Sequence, residues 1–156
     1  MLLDRLGSWR TLKSGVLLFW AAWFTIVVLS DVFDVLKAGG VVPARWTFAS
    51  GNWDLMIKVT GVHGTPVAVV ALLFLGAVAW EALAALLFWR AWAAGGRGGV
   101  AAFTVSLALW AAFTLADELF IAHTLGPVHL RLFGLQLLSL LALRLLPEGS
   151  TAAARP

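Results

Sequence analysis

The sequence predicts an all-α membrane protein that folds as a bundle of four transmembrane helices. Three observations indicate this fold: 62% of the 156 residues are hydrophobic, only 12% are charged, and the mean hydropathy is +0.94. A soluble domain of this length has no core large enough to bury so much apolar surface. Since a helix needs about 20 apolar residues to cross a bilayer, the chain has room for about four spans in a single membrane domain, residues 1–156.

The boundaries of the spans follow from breaks in the apolar pattern, which predict spans at residues 15–36, 66–90, 99–123 and 129–147. Pro66 suits the first turn of the second span, because a proline there removes no helical hydrogen bond. The glycines in residues 95–99 mark a tight turn, and Gly126 with Pro127 separates the last two spans. Residues 148–156 are expected to form a flexible tail.

A long connection, residues 37–64, joins the first two spans and is expected to lie on the outer side of the membrane. Its segment at residues 52–59 mixes apolar and charged side chains. Asn52 has the side chain of a good helix N-cap. The sequence therefore predicts a short helix in this loop that lies at the outer membrane interface.

Basic residues set the expected orientation. The side that carries both termini has Arg5, Arg10, Lys13, Arg90, Arg97, Arg144 and Arg155, and the other side has Lys37, Arg45, Lys58 and Arg131. By the positive-inside rule, both termini then face the cytoplasm of a bacterial inner (plasma) membrane. These cations lie near the span ends without forming a basic stripe, so nucleic acid is not an expected partner.

Glu81 is the deepest ionisable residue of the four spans. Counting the rise along each helix places four further residues at a similar depth: Thr25, Trp23, Trp80 and Trp110. The indole N–H of Trp23 or Trp110 is expected to donate a hydrogen bond to the Glu81 carboxyl group. Two interpretations are open for this layer: a hydrogen-bonded glutamic acid that fixes helix packing, or a relay for protons or cations.

A second group of polar residues is predicted near the outer ends of the last two spans, and its members are Asp117, Glu118, Arg131, Gln136 and His129. Asp117 and Gln136 come out at a similar depth on their own helices. Arg131 is expected to reach across the turn to Asp117 or Glu118. Such an ion pair would staple the third and fourth spans together.

The histidines, His63, His123 and His129, all map to the outer end. Imidazole and carboxylate groups bind zinc or copper, but no two of these histidines have the spacing of metal ligands on one helix face. The sequence gives even less support for a haem held by paired histidines, because these residues lie at helix ends. The chain has no cysteine and no motif of a hydrolase, nucleotide site or metalloprotease. No metal, no cofactor and no enzymatic activity are expected.

Several short motifs resemble a bacterial family of predicted small integral membrane proteins of unknown function. They are Ser30-Asp31-Val32-Phe33, Thr47-Phe48, Trp80-Glu81-Ala82-Leu83 and Asp117-Glu118-Leu119-Phe120. The loop before Thr47 departs from the family pattern, since Val42-Pro43-Ala44-Arg45-Trp46 stands where a His and a Ser-Met-Asp-like stretch are expected. The resemblance implies four spans and carries no activity with it.

These observations favour a non-enzymatic membrane protein that is a subunit or an accessory or assembly component of a larger complex. Its expected partners are the lipid bilayer and either other membrane subunits or further copies of itself. The alternative is an oligomeric proton-coupled transporter or ion-permeation protein that uses Glu81. A haem- or quinone-associated redox subunit is a weaker alternative.

Overall fold

The computed structural model describes residues 8–147, which form helices and no strand. The α-helices are α1 Trp9–Ala38, α2 Asn52–Thr60, α3 Val67–Ala93, α4 Gly99–Leu119 and α5 Gly126–Leu145, and a 3₁₀ helix, Gly61–His63, follows α2. The predicted tail, residues 148–156, lies outside the described residues. The end of the bundle that carries residues 39–66 and 120–125 is the connector end. The opposite end, which carries the turn at residues 94–98, is the termini end.

Four of the five helices are long and apolar enough to cross a membrane: α1, α3, α4 and α5. They pack together in one bundle, with α1 against α3, α3 against α4, and α4 against α5. The predicted four-helix bundle is therefore confirmed, and its four apolar helices indicate a multi-pass membrane protein. The contact between α5 and α1 that would close the ring is slight.

Two helices begin earlier than the sequence predicts. α1 starts at Trp9 instead of residue 15, because the Ser8 hydroxyl caps it by accepting a hydrogen bond of 3.2 Å from the Thr11 amide. α5 starts at Gly126 instead of residue 129, because Pro127 lies in its first turn. Proline is compatible with that position, where its missing N–H has no helical partner to lose.

The far ends of α3 and α4 also differ from the prediction. α3 continues to Ala93, beyond residue 90. α4 ends at Leu119 instead of residue 123, because the backbone turns left-handed at Ile121, with φ of 57°. The amide of Ala122 then returns to the carbonyl oxygen of Asp117 at 2.7 Å. This bond satisfies an otherwise unpaired carbonyl at the end of the helix.

The predicted helix of the long connection is present as α2, but its N-cap is Gly51 and not Asn52. Gly51 has φ of 78°, a conformation that glycine adopts without strain. Asn52 is the first helical residue, and its side chain is used elsewhere. α2 packs against α1 and α3, with the ring of Trp53 against Phe74. It therefore covers the connector end of these two helices.

A layer of aromatic rings lies in the core of the bundle. Phe24 of α1 stacks on Phe88 of α3, with centroids 5.8 Å apart, and Phe88 meets the edge of Phe103 of α4 at 4.9 Å. All three residues are fully buried. Lipid is as apolar as these side chains, so their tight packing, and not their removal from water, stabilises the contact between helices.

We predict that Phe88→Ala lowers the free energy of unfolding by about 3 kcal/mol, because it opens a cavity where three helices meet. Phe19→Ala is the matched control, since Phe19 is 55% exposed on the outside of α1, and it should cost less than about 1 kcal/mol. Unfolding by denaturing detergent in mixed micelles measures both values. Equal losses would contradict the assignment of Phe88 to the core.

Candidate functional site

Three contacts fix how neighbouring helices line up. Phe24 of α1 meets Phe88 of α3, Phe88 meets Phe103 of α4, and Asp117 of α4 bonds His129 of α5. Neighbouring helices run antiparallel. A step of seven residues, about two helical turns, keeps a residue on the same helix face. In each contact we move seven residues towards the middle of the bundle on both helices. This step gives the next pair of residues that lie level with each other.

The step brings four polar side chains to one level, one from each long helix. This middle layer consists of Asp31 of α1, Glu81 of α3, Trp110 of α4 and Gln136 of α5. Each is at most 5% exposed. The layer lies one step closer to the connector end than the contacts of Phe24, Phe88 and Phe103. A complete polar layer inside a membrane bundle is costly, which makes it the first place to look for a function.

The middle layer contains all the buried side-chain nitrogen and oxygen atoms in residues 8–147 that have no hydrogen-bond partner. They are Oε2 of Glu81, Nε1 of Trp110, and both Oε1 and Nε2 of Gln136. The set combines acceptors with donors. A small polar molecule placed among them would find both kinds of partner.

Asp31 and Glu81 form the acidic side of the middle layer. Their carboxyl groups lie close enough for their charges to interact. Neither group has an ion pair with a basic side chain in the described part of the chain. Two neighbouring carboxyl groups without a cation are stable together when one of them carries a proton.

The long connection between α1 and α3 links this acidic pair to the surface. The Asn52 side-chain amide donates to Oδ1 of Asp31 at 2.9 Å. Three residues further along α1, Oδ2 of Asp34 accepts from the Ser50 hydroxyl at 3.1 Å and from the Trp53 amide at 2.7 Å. Ser50 and Asn52 are exposed, whereas both aspartates are buried. Asp31 and Asp34 thus hold the long connection in place and lie just beneath it.

A second buried acid lies between α4 and α5. Nδ1 of His129 donates to Oδ2 of Asp117 at 2.6 Å, and the Asp117 side chain is nearly inaccessible. The imidazole ring packs against Phe113 and stacks on Trp110, with centroids 5.2 and 6.1 Å away. This pair is fully engaged, and it forms the polar contact that joins the two helices near the connector end.

Of the residues that the sequence placed around Glu81, Trp80 and Thr25 have other hydrogen-bond partners. Trp23 and Trp80 are both 37% exposed, and the Trp80 indole donates to the Val105 carbonyl oxygen at 3.0 Å. Thr25 accepts from the Trp89 indole, also at 3.0 Å. The predicted indole bond to Glu81 is wrong for Trp110 too, because its Nε1 has no partner. Trp110 does lie level with Glu81.

The predicted outer cluster is only partly assembled. Asp117 and His129 meet, but Arg131 is exposed and takes no part in an ion pair among residues 8–147. Glu118 instead lies 3.6 Å from His123 on the surface. Gln136 is two turns deeper than expected, level with Trp110. The predicted staple between α4 and α5 therefore depends on His129 and not on Arg131.

The histidines are also distributed among separate contacts. His63 donates from Nε2 to the Leu119 carbonyl oxygen at 2.8 Å, while His123 and His129 approach different carboxylates. Within the described range, no three side chains of His, Asp or Glu are arranged to hold a metal ion.

The structure adds Asp31, Asp34, Ser50 and Asn52 to the residues that sequence reasoning selected. The two aspartates had a visible signal, because a spacing of three residues places them on one face of an apolar helix. Asp31 also lies seven residues after Phe24, on the core face. Ser50 and Asn52 gave no comparable signal, since polar residues are ordinary in a loop.

Comparison of the chain with protein-family models, with curated proteins and with solved structures finds no significant match. The resemblance in the short motifs remains a prediction from the sequence.

We predict that His129→Ala lowers the free energy of unfolding by about 3 kcal/mol, because it leaves the buried Asp117 carboxylate without its partner. His123→Ala removes the same side chain from an exposed pair and should cost less than about 1 kcal/mol. Detergent unfolding measures both variants. Adding Asp117→Asn to His129→Ala should restore part of the loss, and the absence of any recovery would contradict the pairing.

Proposed function

We propose that the protein is a proton-coupled membrane transporter in which Asp31 and Glu81 bind the proton and the middle layer binds a small polar solute. The observation that carries this proposal is that the neighbouring carboxyl groups share one buried layer with all four unpartnered polar atoms. Transporters commonly place substrate and coupling-ion sites near the middle of the membrane.

The energetic cost of the middle layer supports a binding role. Each buried polar group without a partner costs about 1–3 kcal/mol relative to a satisfied one. A role in packing alone is served better by apolar side chains, such as those of the neighbouring aromatic layer. A ligand that bonds to Gln136 and Trp110 recovers the cost when it binds, which makes the bound state more stable than the empty one.

The charges around the carboxyl pair support reversible proton binding. Asp31 and Glu81 face each other across α1 and α3, with the buried Asp34 one turn away on α1. On the far side of Trp110, Asp117 already has His129 as its partner. Among the described residues, no lysine or arginine makes an ion pair with any of these acids. A proton is therefore the cation that balances the charge of the pair.

The two ends of the bundle differ in how they cover the site. At the connector end, Ser50, Asn52 and the backbone of Trp53 lie over the two aspartates, and both Ser50 and Asn52 are exposed. Towards the termini end, the fully buried rings of Phe24, Phe88 and Phe103 fill the space between the helices. We assign the connector end as the side from which the proton enters. In the orientation expected from the positive-inside rule, this is the outer side of the membrane.

We predict that Glu81→Gln abolishes proton movement while the bundle still folds. Gln keeps the shape of the side chain and can still form hydrogen bonds. The substitution should therefore lower the free energy of unfolding by about 0.6 kcal/mol, the average contribution of one hydrogen bond between membrane helices. Proteoliposomes that contain a pH-sensitive dye, with the membrane potential clamped by valinomycin and potassium, measure the flux. The flux of the variant should fall to that of protein-free vesicles.

Glu118→Gln is the matched control, because it makes the same change at an exposed acid of α4. It should leave the flux unchanged. Proton flux that persists in Glu81→Gln, or that is lost equally in Glu118→Gln, would overturn the role of Glu81.

The sequence also favours a subunit or accessory component of a larger membrane complex, and α5 supports this second candidate. α5 buries only Gly126 and Gln136, while leucines such as Leu138 and Leu145 are exposed. These exposed leucines are available to pack against a helix of another subunit. The absence of catalytic activity remains a prediction from the sequence.

The mass of the intact particle after gentle detergent extraction distinguishes the two candidates. We predict a homo-oligomer if the protein is a transporter, since four spans enclose little space in a single copy. Co-migration with larger, different subunits would instead support the accessory function. A stable monomer would count against both.

A further inference from the structure

A cavity of about 280 Å³ opens at the termini end, between α1, α5 and the turn that joins α3 to α4. Four basic side chains from these three segments line it: Arg10, Lys13, Arg97 and Arg144. No aspartate or glutamate of the described residues is among its lining residues. Because four like charges around one cavity repel one another, an anion bound between them would relieve that repulsion.

These basic groups are free to bind a ligand. Within residues 8–147, none of the four is in an ion pair or a side-chain hydrogen bond. The start of α4 adds to the positive potential, since Gly99 and Val100 also line the cavity. The first turn of α4 contains no acidic residue, so no carboxylate there competes with an anion for the positive end of the helix.

Apart from Ser14 and the glycines of the turn, the rest of the cavity wall is apolar and includes Leu17, Leu140 and Leu143. A shallow, open groove of about 420 Å³ lies along the same stretch of α1, where Val16, Phe19 and Trp20 line it with Ser139 of α5. The ligand that fits both features has an anionic head and an apolar tail. The volume of the basic cavity is at the lower end for small-molecule sites, which suits a headgroup and not a whole lipid.

We propose that the basic cavity binds the phosphate of an anionic membrane lipid, with the acyl chains lying against α1 and α5. Arginine suits this role because its planar guanidinium group forms paired hydrogen bonds with phosphate oxygens. Basic pockets between transmembrane helices are known sites for anionic headgroups. The site is separate from the middle layer and does not depend on the proposed transport function.

Native mass spectrometry of the full chain tests the proposal, with phosphatidylglycerol and phosphatidylcholine of identical acyl chains as the probes. The wild-type protein should retain phosphatidylglycerol in clear excess. Arg97→Gln with Arg144→Gln should lower the affinity for phosphatidylglycerol by about 25-fold, since each basic group near an anionic lipid contributes about fivefold. Both residues are exposed, so the fold should survive. Arg144→Gln alone should give about a fivefold loss.

Lys58→Gln with Arg131→Gln is the matched control, because it removes the same charge from two exposed residues at the connector end. It should leave phosphatidylglycerol binding unchanged. Equal losses in the two double variants, or equal retention of the two lipids by the wild type, would overturn the site. Inorganic phosphate that displaces phosphatidylglycerol at equal concentration would overturn the assignment to a lipid and identify a soluble phosphate as the ligand.

Discussion

A polar group inside a membrane bundle cannot use water as a hydrogen-bond partner, and this constraint governs the arrangement of the whole molecule. Asp31 and Asp34 satisfy it by bonding to Asn52, Ser50 and the backbone of Trp53. The long connection is therefore held down by the acids beneath it. The position of α2 over α1 and α3 therefore follows from the need of these buried acids for hydrogen-bond partners.

The same constraint separates two kinds of buried polar group in this chain. Asp117 and His129 complete each other and leave little for a ligand to add, as expected of a contact that joins helices. Glu81, Trp110 and Gln136 keep unpartnered atoms although they are equally buried. A structural role accounts for the first group and leaves the cost of the second unexplained. The solute binding proposed above would account for it, because the partner would then come from outside the chain.

The composition, together with the glycines and prolines between the apolar runs, was enough to predict the four spans, because a bilayer imposes both the length and the apolar character of each helix. They were also enough to identify Glu81, whose position in an apolar run is conspicuous. The partners of Glu81 were not predictable from depth alone. Trp23 and Trp80 lie at a suitable depth but on partly exposed faces, whereas the register between helices makes Asp31 the neighbour of Glu81 and brings Gln136 to the same level. That register depends on particular contacts, such as Phe88 with Phe103.

Charge divides the bundle along its axis, and the division constrains the proposed transport cycle. Buried carboxyl groups occupy the connector half, basic groups surround the cavity at the termini end, and the rings of Phe24, Phe88 and Phe103 separate them. Because these rings interlock across three helices, rotation of one side chain does not open a path. In the proposed cycle, release of the proton towards the termini end therefore requires a helix to move. α5 buries the fewest residues of the four spans, so its displacement disrupts the least packing, and it borders both the middle layer and the basic cavity.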